Sequence, residues 1–307
     1  MMNRANGKKI KAVVLTGFGL NCDMETAHAF ELAGAEAHRV HINMLISGKV
    51  DLDSFHILAL GGGFSWGDDH GAGVIQALKL KNHLGDQLLS FIDQGKLVIG
   101  ICNGFQTLVN LGLLPGINGD YKTRSVALTW NDCGNFRDQW VNLSVNPKSP
   151  SLFTRGLYDL SSDNLALPVR HAQGKFVADK VVIDTLIDSD QVVLRYADIH
   201  GKPAMGKFPE NPNGSIHDIA GICDTTGHVF GLMPHPEAYN HFTNHPDWQS
   251  EIEILKRRDK NDRSDNRDVN FHGNCLASLP SPGLKIFMNA VNYLSEKFGE
   301  PLLNQKS

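Results

Sequence analysis

The chain has 307 residues, of which 41% are hydrophobic, and a formal net charge of −4 with an isoelectric point near 6.4. This balance excludes the strongly basic surface of a nucleic-acid-binding protein, and no apolar run approaches the about 20 residues that cross a membrane. The five cysteines are widely spread without a C-x-x-C pair, which argues against a disulfide framework or zinc site and predicts a cytoplasmic location.

The first part of the chain alternates apolar runs with helical patterns. Strands are predicted at 10–16, 37–42, 55–60 and 97–101, and helices at 23–33, 74–84 and 86–93. This βαβ series predicts an α/β fold with a doubly wound, largely parallel sheet. Because ligands bind such sheets at the carboxyl ends of the strands, functional residues are expected there.

From about Ser125, shorter β runs follow one another at 125–130, 140–145, 165–171, 192–196, 216–223 and 229–233. We interpret them as an antiparallel extension of the same sheet, which predicts a single domain over residues 8–300. Residues 251–268 are dense in charge and poor in apolar side chains. A charged, mobile surface insertion is therefore predicted at 246–278.

The run at 97–101 leads directly into Cys102 and then into a helical pattern, as a strand, turn and helix would. A helix N-terminus favours a thiolate through its dipole and its free N–H groups. Gly100 and Gly104 allow the tight turn that a nucleophile elbow needs. Cys102 is thus a candidate nucleophile, and a buried, inert cysteine at a strand end is the alternative.

The apolar run at 229–233 ends in Pro234-His235-Pro236-Glu237. The prolines stiffen the backbone around the histidine. Glu237 is placed to hold one ring nitrogen of His235 while the other nitrogen faces the cysteine, as in a nucleophile–base–orienter triad. An ordinary histidine on a surface loop is the alternative, and the unusual His-Pro-Glu sequence favours a Cys102–His235–Glu237 triad.

Three glycines, Gly61-Gly62-Gly63, follow the strand at 55–60. The backbone N–H groups of Gly62 and Gly63 are the candidates for one half of an oxyanion hole. The backbone N–H of Asn103 is predicted to form the other half. A phosphate-binding loop is a weaker interpretation, because no G-x-x-x-x-G-K-[ST] motif is present.

His241 and His245 have the i, i+4 spacing of metal ligands, but no third ligand is evident near them in the sequence. No metal site is therefore predicted.

Together these segments resemble the class I, or triad, glutamine amidotransferases. More narrowly, they resemble the glutaminase part of phosphoribosylformylglycinamidine synthases, which belong to purine biosynthesis. The matching segments occur in the family's order and are Gly19-Leu20-Asn21-Cys22-Asp23, Gly62-Gly63-Phe64-Ser65-Trp66-Gly67-Asp68, Gly100-Ile101-Cys102-Asn103-Gly104-Phe105-Gln106, Asn211-Pro212-Asn213-Gly214-Ser215 and Met233-Pro234-His235-Pro236-Glu237.

The resemblance implies a flavodoxin-like core and glutamine as the substrate. It also implies a synthetase partner, with or without a small third subunit, that uses the ammonia. ATP and Mg²⁺ are expected on that partner, and no cofactor is expected in this chain.

The resemblance also makes Gln106, one helical turn after Cys102, a candidate contact to the amide substrate. Three segments depart from the family pattern, one of which, Asp69-His70-Gly71-Ala72-Gly73, looks more like the fused, large-enzyme form than the small separate subunit. Ala238 stands where arginine is common, and His171-Ala172-Gln173-Gly174 replaces the common His-Gly-Glu-Gly. The resemblance places His171 near the substrate, while a surface histidine is the alternative.

Two other functions stay open. A free-standing cysteine amidohydrolase acting on a γ-glutamyl-type substrate would be fully active alone, whereas an amidotransferase subunit is slow until its partner docks. A non-catalytic regulatory subunit on the same fold is the second alternative, and the intact triad residues argue against it.

Overall fold

The computed structural model describes residues 9–157, 165–261 and 280–299, which form a nine-stranded sheet with flanking helices and a separate two-stranded ribbon. The strands are β1 (Lys11–Thr16), β2 (Glu36–His41), β3 (Ile57–Leu60), β4 (Leu97–Ile101), β5 (Val126–Thr129), β6 (Arg137–Val145), β7 (Leu165–His171), β8 (Lys175–Ala178), β9 (Val192–Ala197), β10 (Ile219–Cys223) and β11 (Val229–Leu232). The helices are α1 (Asp23–Leu32), α2 (Ile42–Ile46), α3 (Val74–Asp93), α4 (Asn103–Leu111), α5 (Lys180–Asp188), α6 (Trp248–Asn261) and α7 (Pro282–Phe298).

The sheet has the strand order β2-β1-β3-β4-β11-β10-β9-β6-β7. The first five of these strands are parallel to one another, and every pairing from β11 to β7 is antiparallel. The predicted α/β fold, with a largely parallel sheet and an antiparallel extension, is therefore confirmed. β5 differs from that prediction, because it pairs only with β8, a strand that the sequence did not predict, in the separate ribbon.

The register of the three central strands places the predicted site residues together. Leu60 of β3 pairs with Gly100 of β4, and Ile101 of β4 pairs with Leu232 of β11. The three strands are parallel and end level with one another. The segments that follow them, the glycine loop, Cys102 and the His235 turn, therefore meet at one edge of the sheet.

The prediction of two helices at 74–84 and 86–93 is wrong, because one helix, α3, runs from Val74 to Asp93. Gly85 lies inside it. A glycine in a helix interior costs only about 1 kcal/mol relative to alanine. The buried face formed by Leu80, Leu84 and Leu88 continues across Gly85 and keeps the helix intact.

The charged segment begins as a helix. α6 covers 248–261, with Ile254 and Arg257 exposed to solvent and Trp248 contacting the ring of Phe242. Residues 262–279 lie outside the described residues, so the surface insertion at 246–278 and the domain limits 8–300 stay predictions. In the described part of the chain, no helix combines the length and the apolar character needed to cross a membrane.

Gly104 of α4 packs tightly against the sheet. A Cβ atom built on Gly104 would collide with the carbonyl oxygen of Leu60 in β3. We expect Gly104→Ala to lower the free energy of unfolding by about 1–3 kcal/mol, because α4 must move away from the strand. Chemical denaturation measures this change.

Gly85→Ala is the matched control, since a Cβ at Gly85 meets nothing within 4 Å. It is expected to stabilise the chain by up to about 1 kcal/mol through helix propensity. Equal denaturation midpoints for Gly104→Ala and the wild-type protein would contradict the close packing of α4 on β3.

Candidate active site

Cys102 occupies the turn between β4 and α4, as the sequence predicts. Its backbone has φ 52° and ψ −106°, a conformation that L-residues rarely adopt and that costs about 1–3 kcal/mol. The neighbouring strand holds it there, because the Cys102 N–H donates to the carbonyl oxygen of Leu232 at 2.8 Å. The turn presents the thiol at the N-terminus of α4, where the helix dipole favours negative charge.

His235 and Glu237 form a buried pair beside this thiol. Nδ1 of His235 lies 2.6 Å from Oε1 of Glu237, and the two side chains are 2% and 1% exposed. The His235 N–H donates to the carbonyl oxygen of Pro168 in β7 at 2.8 Å, which fixes the turn after β11. Because Nδ1 is engaged by Glu237, the other ring nitrogen, Nε2, is the one available to exchange a proton with Cys102.

Burial alone would lower the pKa of His235, but the Glu237 carboxylate and the Cys102 sulfur together raise it well above its ordinary value. The thiols of Cys102 and Cys22 beside the ring act in the same direction. A positively charged imidazole stabilises a neighbouring thiolate. The structure thus brings the three predicted triad residues together with the electrostatics that a cysteine nucleophile needs.

Gly62 and Gly63 leave room for the histidine and for the loop after β1. A Cβ on Gly62 would lie 2.7 Å from Cε1 of His235. Gly63 has φ +142°, and a Cβ there would lie 2.7 Å from the carbonyl oxygen of Gly19. Glycine at these positions lets the backbone approach the triad closely, as an oxyanion hole requires.

The side chain of Asn103 connects this glycine loop to the elbow. Its Nδ2 donates to Asp68 Oδ1 at 2.9 Å and to Gln106 Oε1 at 3.0 Å, while its Oδ1 accepts the N–H of Ser65 at 3.3 Å. The sequence analysis considered only the backbone N–H of Asn103. Its buried amide has a second role, which is to fix the two halves of the predicted oxyanion hole relative to each other.

Gln106 lines the site, but its amide is engaged inside the protein. Its Oε1 accepts from Asn103 and its Nε2 donates to the carbonyl oxygen of Gln173. The predicted contact of Gln106 with a substrate stays a prediction.

A cavity of about 270 Å³ opens over the Cys102 side chain. Its lining residues come from the glycine loop, the elbow and α4, the residue after β5, the end of β7 and the residues after β7. They are Gly63, Phe64, Gly67, Asp68, Cys102, Gln106, Trp130, Arg170, His171, Ala172 and Gln173. A volume of this size accommodates a small amino-acid substrate beside the thiol.

Cys22 is a second thiol beside His235, and the sequence analysis did not count it among the site residues. Its Sγ, one ring nitrogen of His235 and one carboxylate oxygen of Glu237 lie within 4.8 Å of one another. Burial raises the pKa of Cys22, and a hydrogen bond to His235 only partly offsets this. Cys22 follows the first strand, at the same edge of the sheet as Cys102 and His235, and this position is a sequence signal that could have identified it.

Cys22, His235 and Glu237 together have the donor atoms that a soft metal ion prefers. Such an ion would have to break the hydrogen bond between His235 and Glu237. Within the described ranges, His241 and His245 belong to no group of three side chains that could hold a metal.

Comparison with known proteins agrees with this geometry. The CobB/CobQ-like glutamine amidotransferase domain matches residues 9–294, so the chain belongs to this family of glutamine amidotransferases. Within the family it is similar to subunit PurQ of phosphoribosylformylglycinamidine synthase. The relative from Methanococcus maripaludis is 42% identical over 93% of this chain and 98% of its own length.

The relative of the same name from Dehalococcoides mccartyi is 44% identical over 79% of this chain and 91% of its own length. Among solved structures, a chain of PurLQS from Thermotoga maritima has a TM-score of 0.61 and 29% sequence identity. That match covers 94% of this chain and all of the other.

Proposed function

We propose that this chain is the glutaminase subunit of phosphoribosylformylglycinamidine synthase. It hydrolyses glutamine and supplies ammonia to a synthetase partner. The partner uses ATP to convert formylglycinamide ribonucleotide to formylglycinamidine ribonucleotide in purine biosynthesis. The observation that carries this proposal is the strained Cys102 elbow, which lines the cavity and lies beside the buried His235–Glu237 pair. Relatives named as subunit PurQ, matched over nearly their whole length, support the choice of partner.

The reaction begins when the Cys102 thiolate attacks the side-chain amide carbon of glutamine. The carbonyl oxygen gains negative charge, and the N–H groups of Gly63 and Asn103 stabilise it. The C–N bond then breaks as the His235 imidazolium gives its proton to the departing nitrogen, which leaves as ammonia. A γ-glutamyl thioester remains on Cys102.

The second half of the reaction uses neutral His235 as a general base. It takes a proton from water, the resulting hydroxide attacks the thioester, and glutamate leaves as Cys102 regains its negative charge. Glu237 holds the ring in the tautomer that keeps Nε2 available, and it stabilises the imidazolium that forms in each cycle.

The partner is needed because free ammonia is protonated near neutral pH and lost to water. ATP and Mg²⁺ belong to the partner in this proposal, and this chain's own residues carry out only the hydrolysis. A reducing cytoplasm suits the nucleophile, and the four cysteines in the described part of the chain are free thiols.

The proposal is tested by reconstituting the chain with the synthetase subunit and supplying glutamine labelled with ¹⁵N in its side-chain amide, in the presence of excess unlabelled ammonium. We expect the label to reach the formylglycinamidine product undiluted, and glutamine hydrolysis to accelerate when the partner docks. Full hydrolysis by the chain alone, unaffected by the partner, would instead identify a free-standing amidohydrolase.

A further inference from the structure

His171 is a buried histidine in the wall of the catalytic cavity. It ends β7, is 3% exposed, and lines the cavity together with Cys102. The sequence analysis left open whether it is a surface residue or lies near the substrate, and the structure excludes the surface position. The triad mechanism above gives it no role.

The hydrogen-bond network around Asn131 determines the tautomer of His171. Nδ2 of Asn131 donates to the carbonyl oxygens of Asn135 at 3.1 Å and of His171 at 2.9 Å. This orientation leaves Oδ1 of Asn131 as an acceptor, and the N–H of Gly174 donates to it at 3.0 Å. Nδ1 of His171 lies 3.1 Å from the same oxygen, so Nδ1 must carry the proton.

The second ring nitrogen, Nε2, is therefore an acceptor with a free lone pair. It is buried and has no hydrogen-bond partner among the residues that the structure describes. Burial and, to a smaller extent, the nearby positive charge of His235 lower the pKa of His171 to about 3. The ring stays neutral at physiological pH, and a buried acceptor without a partner is costly unless a ligand satisfies it.

We propose that Nε2 of His171 accepts a hydrogen bond from the amide N–H of the glutamine substrate and orients the nitrogen that leaves. Among the substrate groups that react at Cys102, the amide nitrogen is the one that carries N–H donors. The contact holds one N–H away from the imidazolium of His235 and turns the nitrogen lone pair toward it. The C–N bond then breaks as the proton moves from His235 to nitrogen. His171 itself gains and loses no proton.

Because this role presupposes the proposed glutaminase activity, the test compares two substrates in the reconstituted complex. Glutamine loses a nitrogen with N–H groups, whereas the γ-methyl ester of glutamate loses methanol, which offers no N–H at that position. His171→Leu is expected to lower kcat/KM for glutamine about tenfold or more, because the variant loses one hydrogen bond to the transition state. It should leave kcat/KM for the ester within about twofold.

His171→Gln can place an amide oxygen near the position of Nε2. We therefore expect it to be more active on glutamine than His171→Leu. This variant also tests the contact if His171→Leu folds poorly. His228→Leu is the matched control. His228 is a half-buried histidine that precedes β11, at the strand end opposite to His235. We expect that variant to treat both substrates as the wild-type protein does.

Equal losses on glutamine and ester in His171→Leu would overturn the proposal and show a structural role for His171. Unchanged rates on both substrates would also overturn it. A wild-type complex that hydrolyses neither substrate would instead contradict the proposed glutaminase function, so the two failures are distinguishable.

A measurement on the intact histidine gives a second test. In Cys102→Ala protein, which cannot turn over, the ¹⁵N resonance of His171 Nε2 should have the value of an unprotonated nitrogen. It should shift when glutamine is added and stay in place when the γ-methyl ester is added. A protonated Nε2, or an identical response to both compounds, would rule the contact out.

Discussion

Cys102→Ala will abolish glutamine hydrolysis, while synthesis from added ammonium by the reconstituted complex continues. Cys102 forms the thioester in the first half of the reaction, and the second half hydrolyses that thioester, so neither half can proceed without it. We expect less than roughly 1% of the wild-type glutaminase rate, with the ammonium-dependent rate unchanged.

Cys223→Ala is the matched control, because Cys223 is a buried, free thiol in β10, outside the cavity lining. It should keep its glutaminase activity once its stability is accounted for. Glutaminase activity that survives in Cys102→Ala would show that another group attacks the amide. Loss of the ammonium-dependent reaction as well would show that the substitution damages the fold or the partner contact.

His235→Ala will cost nearly as much glutaminase activity as loss of Cys102. The 2.6 Å pair with Glu237 and the raised pKa of His235 supply both the charge that stabilises the thiolate and the proton that departs with ammonia. Glu237→Gln should cost less than His235→Ala, since Glu237 orients the ring and transfers no proton itself.

A kinetic cycle distinguishes shared from independent roles. If Cys102 and His235 act as one unit, the double variant will be little slower than either single variant. Losses that multiply in the double variant would contradict the shared mechanism. Steady-state rates of glutamine hydrolysis in the complex, with ammonium-dependent synthesis as the folding control, provide this comparison.

Sequence reasoning predicted the grouping of Cys102, His235 and Glu237 because each residue stands in a recognisable local setting. Cys102 and His235 each follow an apolar strand, and parallel strands place their carboxyl ends at one edge of a sheet. The same reasoning predicted the glycine loop after β3. In each case a short segment carries both the strand and the functional residue, so the long-range contact between Cys102 and His235 followed from the expected sheet.

The parts that sequence reasoning missed depend on contacts between distant segments. The Asn103 amide joins the glycine loop to the elbow, and Asn131 fixes the tautomer of His171 from 40 residues away. No periodicity or motif reports such pairings. The ribbon of β5 and β8 escaped for a related reason, because four-residue strands leave their partner choice to tertiary packing.

The helix break expected near Gly85 shows the opposite error, in which a local signal was weighted too heavily. Glycine is a weak helix former, but the cost is small beside the burial of several leucines along α3. Tertiary packing decided the outcome there.

Two thiols, Cys102 and Cys22, lie beside His235, and the central claim is that only Cys102 is the nucleophile. Covalent labelling with a diazoketone analogue of glutamine, followed by peptide mapping by mass spectrometry, tests this most directly. We predict one label per chain, on Cys102, and no label in Cys102→Ala protein. The strained elbow and the N-terminus of α4 activate Cys102, whereas burial raises the pKa of Cys22 and keeps its thiol protonated. A label on Cys22 in the wild-type protein would contradict this assignment.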